Sequence, residues 1–358
     1  MGIKTRNALA GTGLGRTGPG KAALGRTGIE VSSVGFGTAP LGDFFERLDE
    51  ATAIETVASA VTCGINLIDT SPHYGNGLAE HRVGTALRSL AREDVILSTK
   101  IGRVMSPASR HGEPPAPPPR GFFGGLPHRP AFDYSYDGVM RSFEQSLLRL
   151  GTDRIDILLV HDVDPWSQGE DMVEIRYREV MDSGFRALDT LRSQGLVRAI
   201  GLGLDDHEWC ERFIREGDFD VFLLAGRYSL LEQPALSSLL PLALEKNIGV
   251  MLGGVFNSGI LATGAVEGAR YNYEAAPPDI LARVASIERV CSAHGVKLAH
   301  AAVQFALAHP AVATIVLGAV HPDEIARNLS AVAAPVPPAL WSDLKGEGLL
   351  DMAAPTPS

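Results

Sequence analysis

Asp69, Tyr74, Lys100 and His161 are the residues of this chain whose types and spacing suit proton chemistry. They fall at or just past the ends of apolar runs that read as β-strands: Ile65-Asn-Leu-Ile68, Val95-Ile-Leu-Ser-Thr99 and Ile155-Asp-Ile-Leu-Leu-Val160. A carboxylate, a phenol, an amine and an imidazole on one rim of a parallel sheet form a proton-transfer site. Tyrosine, with an ordinary pKa of about 10, is a poor base at neutral pH unless a nearby positive charge favours the phenolate. Lys100 is expected to supply that charge, with Asp69 holding the ammonium. His161 is expected to donate a hydrogen bond that orients a substrate oxygen. Such a set moves a proton to or from an alcohol or carbonyl. It has no nucleophile of its own, so hydride has to come from a cofactor.

The elements that must position these groups alternate along the chain. From about residue 30, short β-rich runs alternate with helical patterns, the signature of repeated βα units. Besides the three runs above, Val34–Gly37, Ala199–Gly203, Val221–Leu224, Gly249–Leu252 and Thr314–Leu317 read as strands, eight in all. Ile157-Leu-Leu-Val160 is apolar at every position, as a strand covered on both faces requires. After Asp49, the residues Ile54, Val57, Ala58 and Val61 keep helical spacing, and Gly64 supplies a stop. Asp137, Asp205 and Pro322 are the expected starts of further helices. The pattern predicts an α/β fold, a single (β/α)8 barrel.

Around that barrel, Ala22–Gly28 and Ile29–Ser33 are expected to pair as an N-terminal hairpin closing its bottom. Ser106–Pro130, with Pro114, Pro115 and Pro117 to Pro119, is expected to be an extended loop after the third strand, with no regular helix or strand. Residues 1–20 read as a flexible extension, in which Leu14-Gly-Arg-Thr-Gly18 anticipates Leu24-Gly-Arg-Thr-Gly28. Residues 21–335 read as the barrel domain, and 336–358 as a tail that packs only partly.

Composition bounds the function. The chain has 358 residues, 45% hydrophobic and 21% charged, with a net charge of −10. One large domain suits this length, because such barrels run to about 250 residues and tolerate insertions. The acidic balance without a basic run argues against a nucleic-acid surface. No apolar run approaches the roughly 20 residues that span a bilayer, and no hydrophobic segment near Met1 reads as a secretory signal, so a cytoplasmic location is expected. Cys63, Cys210 and Cys291 are widely spaced, so reduced thiols are expected, with neither a disulfide framework nor a metal site.

Three segments, Gly64-Ile-Asn-Leu-Ile-Asp-Thr-Ser-Pro-His-Tyr-Gly75, Leu97-Ser-Thr-Lys100 and Leu158-Leu-Val-His161, resemble the aldo-keto reductase superfamily, from about Leu24 to Asn328. Leu223-Leu-Ala-Gly-Arg-Tyr-Ser-Leu-Leu-Glu-Gln233 and Gly253-Gly-Val-Phe-Asn-Ser-Gly-Ile-Leu261 are similar to its branch of D-threo-aldose 1-dehydrogenases, L-fucose dehydrogenases and pyridoxal 4-dehydrogenases. The resemblance implies oxidation of a cyclic hemiacetal to a lactone with NAD or NADP. In it, Tyr74 as phenolate takes the proton of the anomeric hydroxyl while hydride passes to nicotinamide. Carbonyl reduction by the same residues is the reverse.

The implied cofactor contacts are Gly37 and Thr38 after the first strand, Asp69, and Gly203 after the fifth. Gly253, Gly254, Val255, Phe256, Asn257, Ser258 and Leu261 follow the seventh, and Gly318, Ala319, Glu324 and Asn328 the last. The chain departs from the superfamily pattern where Gly203-Leu204 replace a Ser-Asn pair, Ala225 a glutamine and Gly253 a stacking tyrosine. The nicotinamide amide is therefore expected to be held by Arg227, Tyr228 or backbone groups. Glu324 stands where NADP-preferring members carry a cation, which favours NAD. Phe36, Trp166, Phe122, Phe123 and Tyr136 are candidate flat walls for a sugar or pyridine ring. Arg227 and Asn257 are candidate polar contacts to substrate, with Tyr74 and His161.

The leading expectation is an NAD(P)-dependent aldose or pyridoxal dehydrogenase, acting on a small molecule as a monomer or homodimer. An NADPH-dependent aldehyde or ketone reductase is the alternative enzyme. A cofactor-sensing regulatory subunit is the alternative of another class.

Overall fold

The computed structural model describes residues 19–44, 46–107 and 122–357. Residues 1–18 and 108–121, and with them the expected flexible extension, its repeat and the run Pro114 to Pro119, lie outside the described residues. Strands β1 (Lys21–Ala23) and β2 (Glu30–Ser32) form an antiparallel hairpin. The closed parallel barrel is built from β3 (Val34–Gly37), β4 (Leu67–Asp69), β5 (Ile96–Ile101), β8 (Ile157–His161), β9 (Ala199–Leu204), β10 (Val221–Ala225), β11 (Gly249–Gly253) and β14 (Val312–Gly318). Two further ribbons, β6 (Arg103–Pro107) with β7 (His128–Phe132) and β12 (Arg270–Tyr271) with β13 (Glu274–Ala275), stand outside it. The eight expected strands are the eight of the barrel, shifted by a residue or two at their ends.

Because side chains alternate along a strand, each barrel strand serves two cores. Leu67, Ile157, Leu159, Ala199, Val221, Leu223, Met251 and Val316 fill the barrel interior, and Leu24, Ile29 and Val31 of the hairpin complete that cluster from below. The intervening residues, such as Phe36, Ile68, Leu158, Ile200 and Leu224, pack outward against the helices. The hairpin plugs one end of the interior with hydrocarbon and leaves the opposite end for polar side chains.

Several local expectations change. Asp49 caps its helix by accepting from Thr52 N at 2.9 Å, as its position predicts. The helix expected at Asp137 is instead capped by Ser135, whose hydroxyl accepts from Gly138 N. The one expected at Asp205 is capped by Asp206, which accepts from Trp209 N. Asp205 is thereby left over for another use. The ends of the expected Ser106–Pro130 loop are strand, with Met105 opposite Pro130 and Pro107 opposite His128, since a two-stranded ribbon has free edges that tolerate proline. The tail carries the helix Pro338–Gly346, whose Leu340, Trp341 and Leu344 are buried, while Asp351, Met352 and Ala353 beyond it are exposed.

Candidate active site

Three neighbouring strands, β4, β5 and β8, deliver three of the four residues. Asp69 ends β4, His161 ends β8, and Lys100 lies one residue before the end of β5, all facing inward. Lys100 Nζ donates to Asp69 Oδ2 at 2.6 Å and to the Thr70 carbonyl at 2.8 Å. The other carboxylate oxygen, Asp69 Oδ1, accepts from Ser98 Oγ at 2.8 Å. Tyr74 comes from the turn after β4, where its ring centroid lies 4.9 Å from Lys100 Nζ and 6.0 Å from the His161 ring. That turn is seated by backbone contact: Gly75 has φ +61, and a Cβ added to it would lie 2.5 Å from the Gly42 carbonyl oxygen. Glycine at both positions lets the two loops touch.

The electrostatics of the phenol differ from the expectation. Burial pushes the Tyr74 pKa well above its ordinary value, and Asp69, Asp162 and Asp205 push it further, with Arg103 opposing. Asp69 thus offsets the ammonium that was expected to favour phenolate, and the phenol rests protonated. His161 is held well below the usual imidazole range by burial first, against the raising effect of Asp162, so its ring is neutral. Its Nδ1 lies 3.1 Å from Ser71 Oγ and 3.4 Å from Arg103 Nη1, and its Nε2 lies 3.2 Å from Asp162 Oδ1. Asp162 Oδ2 pairs with Arg103 Nη1 at 2.7 Å. His73, also facing the pocket, is lowered to about 4 by burial, then by Arg103.

These groups open into a pocket walled by Phe44, Phe122, Trp166 and Tyr273. Phe44 packs against Phe122 and Tyr273 at centroid distances of 4.8 and 5.4 Å, and Tyr273 meets Trp166 at 5.8 Å. Tyr273 reaches this wall from the tight turn between β12 and β13, where Asn272 and Tyr273 have φ of 48° and 64°. A bulky residue held in that region is strained, and such strain tends to accompany function. Asp205 also lines the pocket, its carboxylate without a hydrogen-bond or ion-pair partner among the described residues. Burial raises it well above the carboxylate range, with Asp162 and Asp164 adding to that. Asp164 beside it is raised to about 6, by burial and then Asp162.

On the other side of Lys100 the interior loses its side chains. Gly203, Ala225 and Gly253 are the inward residues at the rim ends of β9, β10 and β11. A Cβ on Gly203 would lie 3.3 Å from Lys100 Cε and 3.7 Å from His161 Cδ2, and one on Gly253 would lie 3.0 Å from Leu223 Cδ2. This bare ledge beside the phenol and imidazole fits a flat ring such as nicotinamide.

The remaining candidates divide. Gly37 faces inward beside Asp69, and Thr38 donates to the Asp69 carbonyl through Oγ1 at 3.0 Å. Trp166 and Phe122 line the pocket. Phe36 does not: it lies between the inward Gly35 and Gly37 and is buried against helices. Phe123 is 64% exposed, and Tyr136 lies under Arg186. Arg227, expected at substrate and cofactor, donates through Nε to the Asp205 carbonyl at 2.8 Å and pairs with Glu232 at 3.3 Å. Asn257 is likewise engaged, Oδ1 accepting from Ser229 and Nδ2 donating to Glu232 at 3.1 Å. Both tie rim loops together because their reach ends in protein partners. Tyr228 is buried with its ring stacked on Phe305, and Val255 and Leu261 are core residues, with Phe256 packed against them. Ser258 Oγ accepts from Tyr273 N at 2.9 Å, and Gly254 turns the chain with φ +60.

At the end of β14, Gly318 is exposed and Ala319 is buried. Asn328 Nδ2 donates to the Gly318 carbonyl at 3.2 Å. Glu324 accepts from Val320 N at 2.8 Å and pairs with Arg327 at 3.3 Å. Sequence reasoning missed Asp162, Asp205, Phe44 and Tyr273 as pocket groups. Asp162 adjoins His161, and Asp205 keeps the alternation of Gly203, so strand parity was a usable signal for the second. Nothing local marks Tyr273.

Residues 33–346 match the sequence profile of the aldo/keto reductase family. The chain belongs to that family. It is 41% identical over 337 residues to a pyridoxal 4-dehydrogenase from Microbacterium luteolum, covering 92% of this chain and 98% of the relative. It is 34% identical over 336 residues to a D-threo-aldose 1-dehydrogenase from a Pseudomonas species, covering 94% and 98%. An aldo-keto reductase from Bacillus halodurans, solved in its holo form, superposes with a TM-score of 0.70 at 25% identity, covering 93% of this chain and 97% of that one. The chain is thus an oxidoreductase of a family that works with nicotinamide cofactors on small molecules. Among the described residues, no helix is long and apolar enough to cross a membrane.

Proposed function

We propose that this oxidoreductase oxidises a cyclic hemiacetal, an aldose or pyridoxal, to its lactone, with NAD preferred over NADP. The observation that carries this reading is the juxtaposition of Tyr74, Lys100–Asp69 and His161 with an aromatic-walled pocket on one side and a bare ledge on the other. The bound nicotinamide supplies the hydride acceptor. Its ring would rest on Gly203, Ala225 and Gly253, with the adenosine end near Gly318 and Asn328.

Tyr74 exchanges the proton of the substrate oxygen, and His161 orients that oxygen by hydrogen bonding. Phe44, Phe122, Trp166 and Tyr273 enclose the ring and exclude water. Lys100 is fixed by Asp69 and the Thr70 carbonyl, so its charge stays beside the phenol whichever way the proton moves. Asp323 and Glu324 place two carboxylates in the first turn of the helix Pro322–Ala333, and like-charge repulsion from them disfavours a 2′-phosphate.

A protonated resting phenol also makes Tyr74 a ready acid, which favours carbonyl reduction as the second reading. Initial rates on L-fucose, D-arabinose, L-galactose, pyridoxal and simple aldehydes, with NAD, NADP and their reduced forms, decide between the two. Oxidation of a hemiacetal with NAD is expected. Turnover confined to aldehydes with NADPH would favour the reductase instead.

A further inference from the structure

Asp162 is tied down more heavily than a bystander on the pocket wall needs to be. Its backbone has φ 57, a region that Asp, Asn and Gly tolerate and other residues seldom enter. Its carbonyl oxygen accepts from Gln168 Nε2 at 2.6 Å, and the Tyr134 hydroxyl donates to the preceding carbonyl, that of His161, also at 2.6 Å. The carboxylate spans two partners, with Oδ2 2.7 Å from Arg103 Nη1 and Oδ1 3.2 Å from His161 Nε2. Arg103 is itself held over the Phe132 ring, 4.4 Å from its centroid.

These contacts choose the tautomer of His161. A guanidinium can only donate, and Arg103 Nη1 approaches Nδ1 at 3.4 Å. Ser71 Oγ accepts from His73 N at 3.1 Å, which leaves its own proton for Nδ1. With donors on Nδ1, that nitrogen is the acceptor and the ring proton sits on Nε2, facing Asp162. Without Asp162, Arg103 would lose this ion pair and Nε2 its acceptor, and Ser71 Oγ, which can accept as well as donate, would leave either tautomer open.

We infer that Asp162, buttressed by Arg103, is a positioning residue that holds His161 as the Nε2–H tautomer, with that N–H at the pocket edge where an incoming substrate oxygen can share it. The inference rests on the proposed dehydrogenase reading for its substrate, but the tautomer it assigns does not depend on turnover.

The test uses the full chain labelled with 15N-histidine. Signals of His161 are assigned by comparison with His161→Gln, and steady-state kinetics are run in parallel. Asp162→Gly removes the carboxylate without straining the left-handed backbone, and Asp162→Asn keeps both an acceptor oxygen and that conformation. Wild type is expected to show a single Nε2–H tautomer. Asp162→Gly should show mixed tautomers and a kcat reduced about a hundredfold, with cofactor affinity unchanged. Asp162→Asn should keep the wild-type tautomer and restore kcat to within about tenfold.

An Nδ1–H signal in wild type, or mixed tautomers in Asp162→Asn, would overturn the inference. So would an unaltered tautomer and kcat in Asp162→Gly. If Asp162→Gly does not fold, the wild-type and Asp162→Asn spectra still decide. Failure of wild type to turn over any substrate of the panel would count against the dehydrogenase reading and leave the nitrogen measurement standing.

Discussion

On β4, β5 and β8 the inward side chains nearest the rim are Asp69, Lys100 and His161, whereas on β9, β10 and β11 they are Gly203, Ala225 and Gly253. The two halves share one barrel, one alternation and one hydrocarbon floor. What differs is that one half presents ionisable groups already held by ion pairs and hydrogen bonds, and the other presents backbone and a methyl group. Proton chemistry needs fixed polar atoms, while a flat cofactor ring needs room beside them. The barrel supplies both without any change of fold, by choosing side chains at one level of its interior.

The sharpest way to break the charged half is Tyr74→Phe, which removes one oxygen. Oxidation should slow about a thousandfold or more, as loss of a general acid–base group does. Initial rates at saturating cofactor measure it, and activity within about tenfold of wild type would remove Tyr74 from proton transfer. Lys100→Met leaves Asp69 buried without its cation. Breaking such a pair costs about 3–5 kcal/mol, read as a lowered midpoint in chemical denaturation alongside lost activity.

The resting phenol makes a further prediction about pH. Tyr74 is shifted upward by burial first, so near neutrality it is protonated and only a small fraction can accept a proton. Log kcat/KM for oxidation should therefore rise with pH at a slope of about one through the neutral and mildly alkaline range. Reduction, which uses the protonated form, should stay flat there. The smallest effect is expected furthest from the chemistry. Glu324→Arg should improve NADP use relative to NAD by about tenfold, the worth of one charge-assisted contact, measured as the ratio of kcat/KM values.

The charged half was more legible in the sequence than the bare half, for a physical reason. Asp69, Lys100 and His161 lie at the ends of runs whose apolar pattern betrays a strand, so type and place were read together. The architecture was readable in the same way, because helix and strand periods alternate from Val34 to Leu317. Reach was not readable. Arg227 and Asn257 stand at the rim as expected, yet the Asn257 amide is taken by Ser229, Glu232 and Gly226, and Arg227 Nε and Nη1 are engaged by Asp205 and Glu232. Phe36 was misassigned because an aromatic residue at a strand end was read without its parity. The phenol's protonation also escaped, since it depends on how closely Asp69, Asp162 and Asp205 approach Tyr74 through space.

The division of labour between the two halves is tested most directly by titrating cofactor, by calorimetry, into wild type, Tyr74→Phe and Gly203→Val. The valine stays compatible with a strand, but its branches would enter the space beside Lys100 and His161. Tyr74→Phe should bind NAD within about threefold of wild type, and Gly203→Val should bind it at least about tenfold more weakly. Undiminished affinity in Gly203→Val, together with lost affinity in Tyr74→Phe, would place the cofactor ring elsewhere and contradict the account.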